Sequence, residues 1–195
     1  EGEIKEHYEA VRTELKSLGA IEEMAASHSP MTQVWNSAGG YDWEGKDPNL
    51  SVNFPTSKVS YEFGKTVNWT IKQGRDLSRK FKTDSAAFVI NESAAKFLGF
   101  KNPIGKTLKY NDKLYTIVGV VSDIMQESPF YPVRPSLYHL GFYEDMPNVI
   151  VKLNPHKSIK EDLSAIEQVF NKYSPGVPFS YNFVDEQFEG KFQAE

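Results

Sequence analysis

Two Gly-Lys-Thr triplets, Gly64-Lys65-Thr66 and Gly105-Lys106-Thr107, are the residues that most invite a chemical reading, because such a triplet closes a phosphate-binding loop. That loop also needs a glycine five residues earlier, so that successive backbone amides can wrap the phosphates. Val59 and Phe100 occupy those positions, Gly99 misses by one residue, and Pro103 removes an amide from the second cradle. Neither triplet is read as a nucleotide site. The four histidines, His7, His28, His139 and His156, show no metal-ligand spacing, and no Gly-x-Ser-x-Gly elbow is present. Glu22-Glu23 and the scattered aspartates form no general acid-base dyad. With no cysteine, thiolate zinc sites, disulfides and a Cys nucleophile are excluded.

Two groups survive this screen. Gly74-Arg75-Asp76 reads as a turn whose guanidinium is held by carboxylates or carbonyls, either as an ion pair joining two lobes or as a ligand-binding arginine. Trp35, Tyr41 and Trp43 place three large aromatics in a Gly-, Asn- and Asp-rich loop, residues 35–48, where exposed rings would serve as contacts for a substrate or partner.

The elements that must carry these groups are legible from spacing. Ile4, Tyr8, Val11, Leu15 and Leu18 repeat at four and three, a helical stripe stopped by Gly19. Residues 21–27 form a weak strand. Residues 50–60 read as a strand that Pro55 confines to an edge or bulge. Residues 86–90 are a short buried strand. Asn91 caps a helix over 92–98, which Gly99 ends. Residues 107–110 and 113–121 flank Asn111-Asp112, types suited to a tight hairpin, and 114–121 is apolar enough to be covered on both faces. After an extended connection punctuated by Pro129, Pro132 and Pro135 come strands at 137–140 and 149–153. Ser158 and Glu161 form a capping box opening a helix with the stripe Ile159, Leu163, Ile166, Phe170 and Tyr173. Phe179, Tyr181 and Phe183 alternate as in a half-buried strand, and Phe188 and Phe192 mark a short amphipathic helix.

Helices and strands mix without βαβ alternation, so the expected fold class is α+β with two lobes. Its 195 residues are enough for a core without metals or disulfides, and 13 Phe with 10 Tyr supply it. A net charge of −4 with no basic run excludes a nucleic-acid partner. No run reaches the roughly 20 apolar residues of a membrane span. The chain starts at Glu1 without Met, which reads as a piece trimmed from between two spans.

Four segments then occur in a telling order: Gly74-Arg75-Asp76-Leu77-Ser78; Phe88-Val89-Ile90-Asn91-Glu92-Ser93-Ala94-Ala95; Asn102-Pro103-Ile104-Gly105-Lys106; and Tyr115 to Asp123, which includes Gly119. Together with Trp43 to Pro48 and residues 179–192, they resemble the MacB-like periplasmic core domain of FtsX-type ABC-transporter permeases. Tyr61-Glu62-Phe63 stands where that family opens a helix with a Tyr-Phe pair. The resemblance implies a porter-like α/β lobe from 1–73 and 137–195, with a strand-rich Sabre-like lobe, 74–136, inserted. It also implies that Gly74, Arg75, Asp76, Asn91, Glu92, Pro103, Gly105, Gly119 and Asp123 serve the fold, not catalysis. It implies no enzyme activity and no cofactor in this domain, ATP being used by a separate nucleotide-binding subunit. The implied partners are the permease's own membrane helices and its cytoplasmic ATPase, with a second permease copy or an envelope protein as further candidates. The implied location is outside the cytoplasmic membrane.

Overall fold

A computed structural model describes residues 2–127 and 130–193; Pro129, Glu1 and Glu195 lie outside the described residues. Short helix α1 (Gly2–Glu6) precedes α2 (Tyr8–Ser17), so the expected single helix is broken at His7, which leaves the helical well at φ −105°, ψ 15°. The side chains at the break are held by different elements: His7 faces Tyr173, while Tyr8 stacks on Tyr143 at 4.1 Å and donates to the Met24 carbonyl. Gly19 ends the helix at φ +65°, where a side chain would be strained.

Among the described residues ten strands follow: β1 (Ile21–Ser27), β2 (Ser37–Ala38), β3 (Asp42–Trp43), β4 (Phe54–Val59), β5 (Ile71–Gly74), β6 (Ala87–Asn91), β7 (Thr107–Tyr110), β8 (Lys113–Val121), β9 (Leu137–Leu140) and β10 (Asn148–Leu153). They form one mixed sheet in the order β10-β1-β4-β9-β6-β8-β7-β3, with β2 on β4 and β5 on β8. The remaining helices are α3 (Phe63–Val67), α4 (Glu92–Leu98), α5 (Ile159–Tyr173) and α6 (Val184–Gln193). Asn91 accepts from the Ala94 amide at 2.9 Å, Gly99 ends α4 at φ +74°, and Ser158 with Glu161 closes the capping box of α5. Asn111 and Asp112 take φ +48° and +59° in the β7–β8 hairpin, as its tight turn requires.

Several expectations need correction. Strand β4 lies inside the sheet, not at an edge: Pro55 pairs with β2, and the ladder to β9 begins only at Thr56, so the missing amide interrupts nothing there. Only the far half of β8 is covered. Leu114 is 60% exposed because the hairpin end projects past its neighbours, whereas Ile117, Val120 and Val121 are buried. Residues 179–183 pair with no described strand. Their rings instead form a ladder from Phe170 through Phe179 and Tyr181 to Phe183, which explains the alternation without a hydrogen-bonded partner. Phe188 lies on α6 as expected; the backbone of Phe192 does too, but its side chain is outside the described residues.

Among the described residues, three apolar clusters build the interior. The first joins α1, α2, β1 and α5 through Tyr8, Val11, Leu15, Met24 and Ile166. A second gathers Tyr41, Trp43 and Phe54 with Phe88, Ile117 and Leu137, so the interior beneath 74–136 is completed by residues from outside it. The third, with Phe63, Leu77, Val89 and Tyr138, lies under the middle strands. Fully burying each such side chain contributes about 1.5–3 kcal/mol. The sheet runs unbroken across the expected lobe limits, since β6 pairs with β9 at Val89–Tyr138 and Ile90–Leu137.

At the crossing of β5 and β8 the backbones nearly touch. A Cβ on Gly119 would lie 2.1 Å from the Arg75 carbonyl oxygen, and one on Gly74 2.2 Å from that of Val118. Gly119→Ala is expected to destabilise the domain by roughly 3–5 kcal/mol, read as a lowered denaturation midpoint. Gly176→Ala, whose new Cβ meets nothing within 4 Å, should stay close to the parent.

Candidate functional site

The Gly74-Arg75-Asp76 turn resolves into a locked corner. Gly74 at φ +69° ends β5, and the Arg75 amide donates to the Val118 carbonyl at 2.9 Å. The Arg75 guanidinium then makes two parallel 2.7 Å bonds to Asp84 and lies 3.8 Å over the Phe81 ring. Asp84 is fully buried and also accepts from the Ser78 amide. The fork-on-carboxylate bond raises the Arg75 pKa. Both partners lie within 74–136, so this pair does not join the expected lobes; the fork is spent on Asp84, and Nη1 also donates to the Asp76 carbonyl at 3.0 Å. Asp76 does reach across: its Oδ2 accepts from the Trp69 indole at 3.0 Å and its Oδ1 from the Leu77 amide at 2.7 Å. Burial still pushes its carboxyl up to about 6 against those bonds.

The other singled-out residues also spend their polar atoms on backbone. Asn91 Oδ1 accepts from Ala94 and Ser136 amides while its Nδ2 donates to the Arg134 carbonyl. Asp123 accepts from both the amide and the hydroxyl of Ser93, adding a second cap to α4, whose exposed first residue is Glu92. Pro103 is buried, and Gly105 at φ +84° donates to the Ile117 carbonyl.

The aromatic loop splits in two. Tyr41 and Trp43 are buried, not available as contacts: Tyr41 stacks on Tyr110 at 4.5 Å and bonds Thr56, and Trp43 packs edge-on against Phe54. Two short strands, β2 and β3, turn the loop inward because the second cluster needs these rings to close. Trp35 alone stays out, 52% exposed, its indole donating to Gln33. Its chain neighbours Gln33 and Val34, though not Trp35 itself, line a groove of about 700 Å³ with Ile124, Met125, Tyr131 and Val133 among others.

Three charged clusters escaped the sequence reading. Glu23 is only 2% exposed, yet accepts from Arg12, Lys16 and Lys65, and these bonds outweigh burial to hold its carboxyl down at about 2. Arg79 bonds Glu9, Glu62 and Tyr143. Lys191 on α6 donates to the carbonyls of Thr32, Gln126 and Glu127. A signal existed for the first: Glu23 shares the inward phase of β1 with Ile21, and Arg12 and Lys16 stand one helical turn apart beside the apolar stripe. Arg79 and Lys191 depend on distant chain and carried none. Among the described residues, no three His, Asp or Glu gather as a metal site, and no helix is long and apolar enough to cross a membrane.

Fold and clusters together define an α+β scaffold domain whose polar groups mostly serve its own backbone and seams. The chain belongs to the MacB-like periplasmic core domain family, whose sequence profile matches residues 4–169. The periplasmic region of MacB from Actinobacillus actinomycetemcomitans is 19% identical and superposes with a TM-score of 0.58 over 84% of this chain and 72% of that one. The extracellular domain of the ABC-type transporter YknZ from Gram-positive bacteria gives 16% identity and 0.58 over 84% and 82%. A domain of a putative permease from Porphyromonas gingivalis gives 17% and 0.59 over 84% and 70%. No curated protein matches the sequence. The chain is therefore an extracytoplasmic domain of a MacB/FtsX-type ABC-transporter permease, from a family of transporter domains, not a known catalytic one.

Two carboxylates give this domain opposite pH limbs. Asp76, raised in the fold, favours the native state when protonated; that contribution is full below its ordinary 3.8 and is lost as pH rises through about 6. Glu23, lowered in the fold, contributes above its ordinary 4.5 and loses that contribution as pH falls toward about 2. Denaturation across this range should show Asp76→Asn flattening the upper limb and Glu23→Gln the lower, each by up to about 2 kcal/mol after allowance for solvent screening. An unchanged profile in either variant would contradict the assignment.

Proposed function

We propose that the domain works as a mechanical relay, carrying motion of the permease's membrane helices to cargo or to an envelope partner outside the membrane. In this reading ATP is hydrolysed by a cognate cytoplasmic subunit, and the domain sits on the periplasmic side of a bacterial inner membrane, between the first and second membrane spans. Export or envelope work follows from movement of α2 and α6 beneath a porter-like part, 1–73 and 137–195, and a Sabre-like part, 74–136. A second permease copy is a natural neighbour in that assembly.

The observation that carries the reading is how the two end segments are attached. Helix α2 buries Tyr8, Val11 and Leu15 and is tied to β1 through Glu23 and to α5 through Glu14 with Lys172. Helix α6 is strapped to two loops by Lys191. A helix packed and bonded in this way moves with its support, because packed interfaces switch between discrete arrangements and do not stretch. Thr13 is exposed in the interior of α2, so Thr13→Pro breaks the lever at a cost of about 3 kcal/mol without removing a core contact. In the intact transporter this variant should keep ATP hydrolysis while export falls at least tenfold, with Thr13→Ala near the parent. Full export by Thr13→Pro would refute the lever.

The groove beside Trp35 favours a second reading, an extracytoplasmic binding module for a peptide, lipid or lipoprotein. Occupancy should shift Trp35 emission to the blue and quench it, and Trp35→Ala should abolish the change. Emission indifferent to peptides and to lipid vesicles alike would remove this reading.

A further inference from the structure

We propose that Arg79 is a two-position joint between α2 and the middle of the chain, an inference that rests on the lever reading above. Arg79 lies just after β5, over the Tyr61 ring at 4.7 Å. Among the described residues its Nη2 alone carries three bonds, to Glu9 on α2, to Glu62 at the entry to α3, and to the Tyr143 hydroxyl. A guanidinium nitrogen has two hydrogens, so three acceptors oversubscribe it while the rest of the fork stays off these groups. Glu62 shows the complementary deficit. Its Oε1 holds Arg79 at 2.6 Å, but its Oε2 is buried with no hydrogen-bond partner among the described residues.

A buried carboxylate oxygen without a donor is unfavourable, and a fork engaging both oxygens of Glu62 would remove the deficit. Glu9 does not lose all its partners in that second position, because the Tyr143 hydroxyl already donates to it at 2.8 Å. The two arms also differ in permanence. Glu62 is 7% exposed and stays with Arg79 in both positions, whereas the Glu9 arm is 49% exposed on each side and opens cheaply. Displacement of α2 therefore breaks the Glu9 arm, and Arg79 closes bidentately on Glu62. The joint has two defined positions in place of a graded stretch. Arg79 is the positioning residue here, and Glu9 the movable contact.

The test uses the intact permease with its ATPase, in a background without other cysteines, with spin labels at Thr13→Cys on α2 and Lys80→Cys beside Arg79. Both sites are exposed. Pulsed distance measurements should show two populations, with Glu9→Gln enriching the longer one about two- to fivefold without nucleotide. Trapping with ATP and vanadate should enrich that same population. Arg79→Lys, a point charge unable to fork onto both Glu62 oxygens, should deplete it. A distribution unmoved by Glu9→Gln overturns the joint; if nucleotide still moves it, the lever stands without the joint. A shift with Glu9→Gln but none with nucleotide supports the joint and removes the lever.

Discussion

The contact on which the rest of the structure depends is the near-touching of two backbones at Gly119. Strand β8 pairs there with Gly74 of β5 on one side and Val89 of β6 on the other, and both pairings slip register within two residues of it. Two irregularities meeting at one glycine concentrate twist in the strand that holds β5, β6 and β7 together. From β6 the sheet continues to β9, β4 and β1, so the geometry at Gly119 sets where the N-terminal helices lie. The Arg75–Asp84 fork closes the corner that this approach creates. Its guanidinium is not a spare functional group, because a backbone turned so sharply leaves the Ser78 amide pointing inward, and buried Asp84 satisfies both at once.

Local grammar was legible wherever the cause was local. The Asn91 cap, the Gly99 stop, the Asn111-Asp112 turn and the Ser158–Glu161 box sit where side-chain and backbone chemistry within a few residues placed them. The mixing of helices and strands without βαβ alternation carried the α+β class, and the order of the weak motifs carried the family. What stayed hidden was set by partners far along the chain. Tyr41 and Trp43 read as a solvent-facing loop because nothing nearby announces Phe54, Phe88 and Tyr110 as the wall they pack on. Pro55 read as an edge marker because β9, which takes up the ladder at Thr56 by pairing it with Leu137, lies some eighty residues further along the chain. The candidate site was harder still. Arg75 was singled out with the right chemistry and an open choice of partner, whereas Arg79, only four residues on, drew no attention. Its acceptors come from positions 9, 62 and 143, and no spacing rule links them.

The distribution of charge over the fold follows from the same topology. Apolar clusters fix the pieces, and single charged side chains bridge the seams between them: Glu23 between α2 and the sheet, Arg79 between α2 and the middle, Lys58 with Asp145 beside β10. Buried apolar contacts are cooperative and close-packed, so they resist gradual deformation. An exposed ion pair contributes at most about 1 kcal/mol and can be broken alone. Rigid blocks with breakable polar seams are what a domain needs if displacement must pass through it without unfolding any part.

The two ends are nevertheless held by different chemistry. At the N-terminal side, α2 is tied by guanidinium and ammonium groups to carboxylates, full charge to full charge, with several members open to solvent. At the C-terminal side, the bonds of Lys191 among the described residues go to neutral carbonyl oxygens, and burial lowers its pKa against the opposing charge of Glu127. Salt weakens the solvent-exposed ion pairs of the first kind, and the buried Glu23 contacts much less. Of the two end helices, α2 is thus the one whose attachment responds more to its ionic surroundings.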